Sequence, residues 1–311
     1  MPKFPTIPRL TIVVPYCGDT HAFESSLVSV LQHRPDACEV IVPHGGDYDD
    51  PFDLGDEVNF IDAGTTSFTA QVAEAASIAR GRFVHVLAEG NCATQGWSEP
   101  AMEFFEHHDT GLVIPVVRHS DRDEIVYAGW RRSASSACEL IAAGSPTLHT
   151  QDTVRVEGGF LHASFWRRDL LRSLSGIIRS DDSVEASMAY SLAARQAGWR
   201  CLVSRKSTLH SADTSHGQTD LSSRINTNHR RLQAIADRFS KSGGGWGKSA
   251  GRFVSTYFSG GIVSAVRRAT APLAQSEIES SLRCNTVLRC DDHVESVRIP
   301  VNANVPLRRA A

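Results

Sequence analysis

Four places along the chain hold side chains that can move protons or bind ions. The loop HGGDYDD, from His44 to Asp50, brings together an imidazole, two glycines and three aspartates. Glu89 stands between Ala88 and Gly90, directly after the apolar run RFVHVL. Asp181, Asp182 and Glu185 open a helical pattern, and His210 follows another apolar run. Carboxylates and imidazoles act as general bases and as cation ligands. Each also has a plain structural use. HGG makes a tight turn, Glu89 an ordinary loop acid, Asp182 a helix N-cap, and His210 a satisfied surface or core residue.

The elements that position these residues follow from hydrophobic patterning. Leu10–Pro15 and Glu39–Val42 are short, mostly β-branched runs, as expected of strands buried on both faces. Phe23, Leu27, Val30 and Leu31 recur at helical spacing between them, with Asp19 or Thr20 at the N-cap position. Further strands are expected at Val58–Ile61, Arg82–Leu87, Leu112–Val117, Ile125–Tyr127 and Arg200–Val203. Helices are expected at Ser67–Ala79, around Trp97–His107, near Trp166–Leu174 and at Asp182–Ala197. Alternation of this kind predicts an α/β fold with a mainly parallel central sheet flanked by helices. In such sheets the loops at the carboxyl ends of the strands form the ligand crevice. That rule marks Pro15–Tyr16 and His44–Asp47.

Composition narrows the classes. A hydrophobic share of 41% supports a real core, and a net charge of −3 supplies no basic field for nucleic acid. The 7 cysteines are dispersed without a C-x-x-C pair, which points to a reducing compartment rather than a disulfide framework. MPKFPTIPRL lacks the apolar core of a signal peptide, so a cytoplasmic protein is expected. Beyond about residue 215 the pattern changes, and the chain divides into a domain at 1–215 and a C-terminal helical and hairpin appendage at 216–311. The appendage is read as a polar helix at Leu221–Phe239, a Gly-rich hinge, a basic aromatic segment at 246–268 and a hairpin at Val287–Ile299. The basic segment either packs on the main domain or rests on an anionic membrane surface. SGGGWGKS, at Ser242–Ser249, lacks the first glycine and the preceding strand of a phosphate-binding P-loop.

The ordered set of segments resembles family 2 glycosyltransferases, which have the nucleotide-sugar-binding GT-A fold. The opening from Leu10 to Asp50 resembles theirs. ARGRFVHVLAEG is similar to the strand that delivers an Asp-x-Asp, and GLVIPVVRHSDRDEIVYAGW to the strand after it. GGFLHASFWRRDLL resembles the acceptor-side glycine and helix, and DDSVEASMAYSLAARQAGWRC the helix bearing the catalytic acid. TLH occupies the place of a terminal metal-assisting histidine. Coverage is about residues 9–212.

The resemblance implies an inverting glycosyltransferase that moves a sugar from a nucleotide-sugar donor to a carbohydrate or lipid-linked acceptor. It implies donor contacts from Pro15, Tyr16, His44, Gly46, Asp47 and Glu89. Mg²⁺ or Mn²⁺ would sit at Glu89 and His210, and the base would be Asp182, with Asp181 and Glu185 nearby. Several family positions are altered here. The Asp-x-Asp acids fall on Ala88 and Gly90, and Glu-Asp, counted back from Gly198, falls on Ala186 and Ser187. Asp-Asp-Gly-Ser becomes His44, Gly45, Gly46 and Asp47, and the helix Arg-Asn becomes Val72-Ala73. Arg80, Arg82 and Arg131 are the cations expected to share the neutralisation of the diphosphate. The alternative is a catalytically inactive GT-A-like scaffold that binds a nucleotide, glycan or partner protein.

Overall fold

The computed structural model describes residues 7–211, 219–239 and 287–291. Chain order begins β1 (Leu10–Val13), α1 (Thr20–Gln32), β2 (Cys38–His44), β3 (Asn59–Asp62), α2 (Phe68–Ile78) and β4 (Phe83–Val86). It continues with β5 (Asn91–Ala93), α3 (Glu99–Phe104), β6 (Thr110–His119), β7 (Ile125–Tyr127), β8 (Trp130–Arg131), β9 (Glu139–Leu140) and α4 (Thr150–Val154). Then come β10 (Phe165–Arg167), α5 (Arg168–Ile177), α6 (Ser183–Gln196), β11 (Arg200–Ser211), α7 (Thr219–Thr227) and α8 (His229–Phe239).

The main sheet runs β3-β2-β1-β4-β10-β6-β11-β5, with β7 hydrogen-bonded to β6. β3, β2, β1 and β4 are parallel, and so are β6 and β11. β10 lies antiparallel between β4 and β6, and β5 antiparallel against β11. β1 and β4 are mostly apolar and buried along their whole length, Thr11 and His85 included. Asp19 caps α1 by accepting from the Ala22 N–H at 3.0 Å, and Phe23, Leu27 and Val30 face the core.

Three expectations change. Phe165–Arg167 is a strand, and the helix begins only at Arg168. Arg167 is 3% exposed because its guanidinium donates to Thr110 O (2.7 Å), Phe105 O and His107 O, which satisfies a charge inside the sheet. The polar helix over Leu221–Phe239 is two helices broken at Asn228. The helix expected around Trp97–His107 contracts to Glu99–Phe104.

α8 packs Leu232 and Ile235 against the core, and Leu288 O accepts from Trp199 Nε1 at 2.7 Å. The boundary at 215/216, the SGGGWGKS stretch, the basic segment at 246–268 and most of the hairpin lie outside the described residues. No described helix is long and apolar enough to cross a membrane.

The amino ends of the parallel strands are locked around Glu39. Its carboxylate accepts from Thr11 Oγ1 at 2.5 Å, Arg80 Nε at 2.7 Å and Gly81 N at 3.1 Å. Gly81 allows this approach, since a Cβ there would stand 2.6 Å from Thr11 Oγ1 and 2.7 Å from Leu10 C. Burial alone would raise the Glu39 carboxyl, but these donors outweigh it and hold the pKa below the usual carboxylate value. A carboxyl depressed on folding adds stability above its unfolded pKa and loses it as pH falls through the folded value. Glu39→Gln should therefore cost about 1–3 kcal/mol at neutral pH. Its deficit should close below about pH 4. Urea melts over a pH series check this, and a deficit undiminished in acid would contradict it.

Candidate functional site

Because β1 to β4 are parallel, their carboxyl ends and following loops lie side by side. Gln71, fully buried on α2, ties two of these loops by donating Nε2 to Tyr16 O and Thr65 O, both at 2.8 Å. Gly45 lies so close to the loop before α2 that a Cβ would be 3.0 Å from Thr66 Cγ2. Tyr16 N donates to Pro43 O at 2.9 Å. The tips of β1, β2 and β3 thus form one cross-tied rim, and Pro15, Tyr16 and His44 all belong to it.

Tyr16 presents backbone to this rim rather than ring. Its side chain is 8% exposed and packs against Phe23 and Tyr48 at 5.2 and 5.1 Å between centroids. The HGG turn takes the plain form expected of it. Gly46 N donates to His44 Nδ1 at 3.1 Å, with Gly46 at φ +90°, a conformation suited to glycine. Asp47 is exposed at the edge of the turn.

Glu89 closes the rim from β4. Its carboxylate accepts from Cys17 N at 2.5 Å and Gly18 N at 3.2 Å, pinning the loop that leads into α1. Burial raises its pKa, and these N–H groups oppose the rise without cancelling it. His210 does not lie in a loop after Arg200–Val203. β11 continues to Ser211, because β5 extends the sheet, and His210 sits in the ladder opposite Cys92 and Arg118. No group of three or more His, Cys, Asp or Glu that could hold a metal occurs among the described residues. Mg²⁺ and Mn²⁺ prefer several oxygen ligands. Glu89 is flanked by Ala88 and Gly90 and its Oε1 is taken by backbone N–H groups, so these side chains alone make no cage for such an ion.

The amino end of α6 meets this rim through His162. Ala88 N donates to His162 O at 2.8 Å, and Asn91 Nδ2 donates to the same oxygen at 3.3 Å. The imidazole stacks on Phe68, the first residue of α2, at 4.8 Å and 13°. Its Nε2 is 2.9 Å from Ser183 Oγ. Ser183, Ser187 and Ser191 stand four residues apart on α6 and line the 158–162 loop. Ser187 Oγ accepts from Leu161 N at 2.9 Å, and Ser191 Oγ accepts from Gly159 N at 3.3 Å. Ser187, one of the two positions where the family acid was expected, is fully buried against that loop. A carboxylate there would have no access to a ligand.

The three expected acids divide. Asp182 is the N-cap of α6, its Oδ1 accepting from Val184 N and Glu185 N at 2.9 Å each. Its Oδ2 accepts from Arg224 Nη2 and Asn228 Nδ2, also at 2.9 Å. Burial would raise the Asp182 carboxyl, but the Glu185 N–H and Arg224 hold it below the usual value. Glu185 is 4% exposed and paired with Arg231 Nε at 2.5 Å. Asp181 is exposed at the lip of a cavity of about 470 Å³ between α2 and α5.

The cations also separate. Arg80 and Arg82 precede β4 and therefore lie at the amino ends, opposite the rim, with Arg80 on Glu39. Arg131 is bound to Glu139 and Asp152. Arg224 is the cation near His162 and Asp182. A larger cavity of about 830 Å³ lies away from the rim, between α3, α4 and the first half of β11.

Gln71, His162, Arg224 and Asn228 had not been singled out from sequence. The serines at 183, 187 and 191 were the available signal for a helix face turned toward a polar loop.

No protein-family model matches the chain, and no curated protein matches it in sequence. Solved structures do. The mannosyltransferase PcManGT from Pyrobaculum calidifontis, in complex with GDP-Man and Mn²⁺, superposes with a TM-score of 0.54 at 15% identity. The match covers 88% of this chain and 74% of that one. The chain has a GT-A-like glycosyltransferase fold. S. aureus TarS, residues 1–349, aligns with a TM-score of 0.49 at 14% identity, over 80% of this chain and 72% of that one.

Proposed function

We propose that this protein is a glycosyltransferase that takes a nucleoside-diphosphate sugar at the rim of β1, β2 and β4 tips. An acceptor hydroxyl of a carbohydrate or lipid-linked glycan would approach over the amino end of α6. The observation that carries this is the bridge from Ala88 through His162 to Ser183, which ties the β4 tip to the start of α6 within hydrogen-bond distances. Backbone of Pro15, Tyr16 and Gly46, with His44 and Asp47, would line the nucleoside end. Glu89 would hold the loop before α1 in shape rather than bind a metal.

The leaving diphosphate still needs neutralising, and Arg224 is the cation best placed for it in this proposal. An inverting step would require a base near the start of α6, where Asp181, Asp182 and Glu185 cluster. The dispersed cysteines support a reducing compartment.

One observation favours a second proposal, a scaffold that binds the donor without turning it over. Ser187 is sealed at a position where an acid was expected, and Asp182 commits both oxygens.

One experiment separates the two. A panel of UDP- and GDP-sugars, with and without Mn²⁺, is scored by thermal shift and by release of nucleoside diphosphate. Ligand at about 100-fold excess over Kd should stabilise the fold by ~2.7 kcal/mol. The enzyme binds and releases; the scaffold binds only. Absence of binding across the panel contradicts both.

A further inference from the structure

We infer that His162 is the general base of the proposed transfer, accepting the proton of the acceptor hydroxyl on Nδ1. The inference rests on the proposed glycosyltransferase function. It starts from a vacancy in the chemistry. Ser187 is buried where the acid was expected, Asp182 has four hydrogen bonds, and Glu185 is paired with Arg231. Asp181 faces the cavity between α2 and α5.

Among the described residues, His162 is the proton-transfer group joined to both sides of the site. Its carbonyl oxygen holds Ala88 and Asn91 at the end of β4, and its ring is set between Phe68 of α2 and Ser183 of α6. In this proposal Ser183 Oγ accepts from Nε2–H at 2.9 Å, the tautomer that leaves a lone pair on Nδ1. Among the described residues Nδ1 has no protein partner, and it is not sealed in the core. Stacking on Phe68 holds the ring plane, so the lone pair is oriented before substrate arrives.

Electrostatics supports the geometry. Burial and then the Arg224 charge push the imidazole down to about 4, with Asp182 opposing. The ring is therefore neutral at neutral pH and free to accept a proton. A base of that strength matches an ordinary carboxylate, the group it replaces. In the step, the acceptor O–H gives its proton to Nδ1 while the oxygen bonds to the anomeric carbon. The bond from that carbon to the β-phosphate oxygen breaks, and its electron pair leaves with the nucleoside diphosphate. The imidazolium then returns its proton to water. Asp182 acts here as a positioning residue, holding Arg224 and the start of α6.

The test uses the full chain, as wild type, His162→Asn and His162→Ala. UDP- and GDP-sugars are supplied with water as acceptor, and nucleoside diphosphate release is measured with and without added imidazole. Binding of UDP and GDP is read separately by thermal shift. Asparagine cannot take the proton; its amide ends near the position of Nδ1 and gives up the Nε2 contact with Ser183. His162→Asn should lose about 100-fold or more in turnover with unchanged nucleotide binding. Added imidazole should restore part of the activity of His162→Ala. Turnover of His162→Asn within about tenfold of wild type would overturn the role. So would a loss that imidazole leaves untouched in His162→Ala, since that marks a structural contribution. A wild type that releases no nucleotide overturns the glycosyltransferase proposal itself, and the base with it. An active wild type matched by its variants overturns the base alone.

Discussion

Gly158→Ala should destabilise the protein by about 3 kcal/mol, the upper end for overpacking a close-packed site. A Cβ at 158 would meet Ser191 Cβ and Oγ and stand 2.6 Å from Trp130 Cζ2. Neither neighbour has room to give. Trp130 is fully buried and donates its backbone N–H to Gly158 O at 2.9 Å. Ser191 lies on the buried face of α6 and is held by Gly159 O at 3.3 Å. The strain would push α6 from the 158–162 loop and carry His162 with it. Denaturant melts of the variant should show a lower midpoint at an unchanged slope. A variant as stable as wild type would mean that α6 does not sit on this loop.

Asp182→Ala should lower both stability and turnover. The substitution removes an N-cap, a loss of roughly 1 kcal/mol, and strips Arg224 of its carboxylate. A hydrogen bond to a charged group contributes about 1.5–3 kcal/mol, discounted here because Arg224 is 30% exposed at its side chain. A combined deficit of roughly 2–3 kcal/mol is expected. Asp182→Asn keeps an acceptor for the helix N–H groups and should recover the cap but not the Arg224 pair. If Asp182 is instead the base, Asp182→Asn abolishes turnover although its cap is intact. With His162 as base, Asp182→Asn retains measurable release. Melting and release assays on the two variants therefore divide capping from chemistry.

The half of the fold that forms the rim was legible, because β1, β2 and β4 are mostly apolar runs and α1 and α2 carry one-sided hydrophobic faces. β10 was hidden, since three residues ending in arginine give no periodicity, and only the carbonyls of Phe105, His107 and Thr110 explain a buried Arg167. β5 is the three-residue segment Asn-Cys-Ala, and its pairing with β11 is what draws His210 into the sheet. Placing Arg80 and Arg82 near the ligand ignored strand direction, although both precede β4 and so must lie at its amino end. The N-cap use of Asp182 was readable from its place before a helix. Its partners Arg224 and Asn228 were not, because a helix break more than forty residues away along the chain brings them there.

Hydrogen–deuterium exchange of the full chain, with and without saturating UDP or GDP, measures where a nucleotide rests. Slower exchange is expected together at residues 14–19, 44–47, 88–91 and 160–164, the tips of β1, β2 and β4 and the loop bearing His162. Saturable binding that protects only the cavity between α3, α4 and β11, or no protection by either nucleotide, would contradict a donor site at the strand tips.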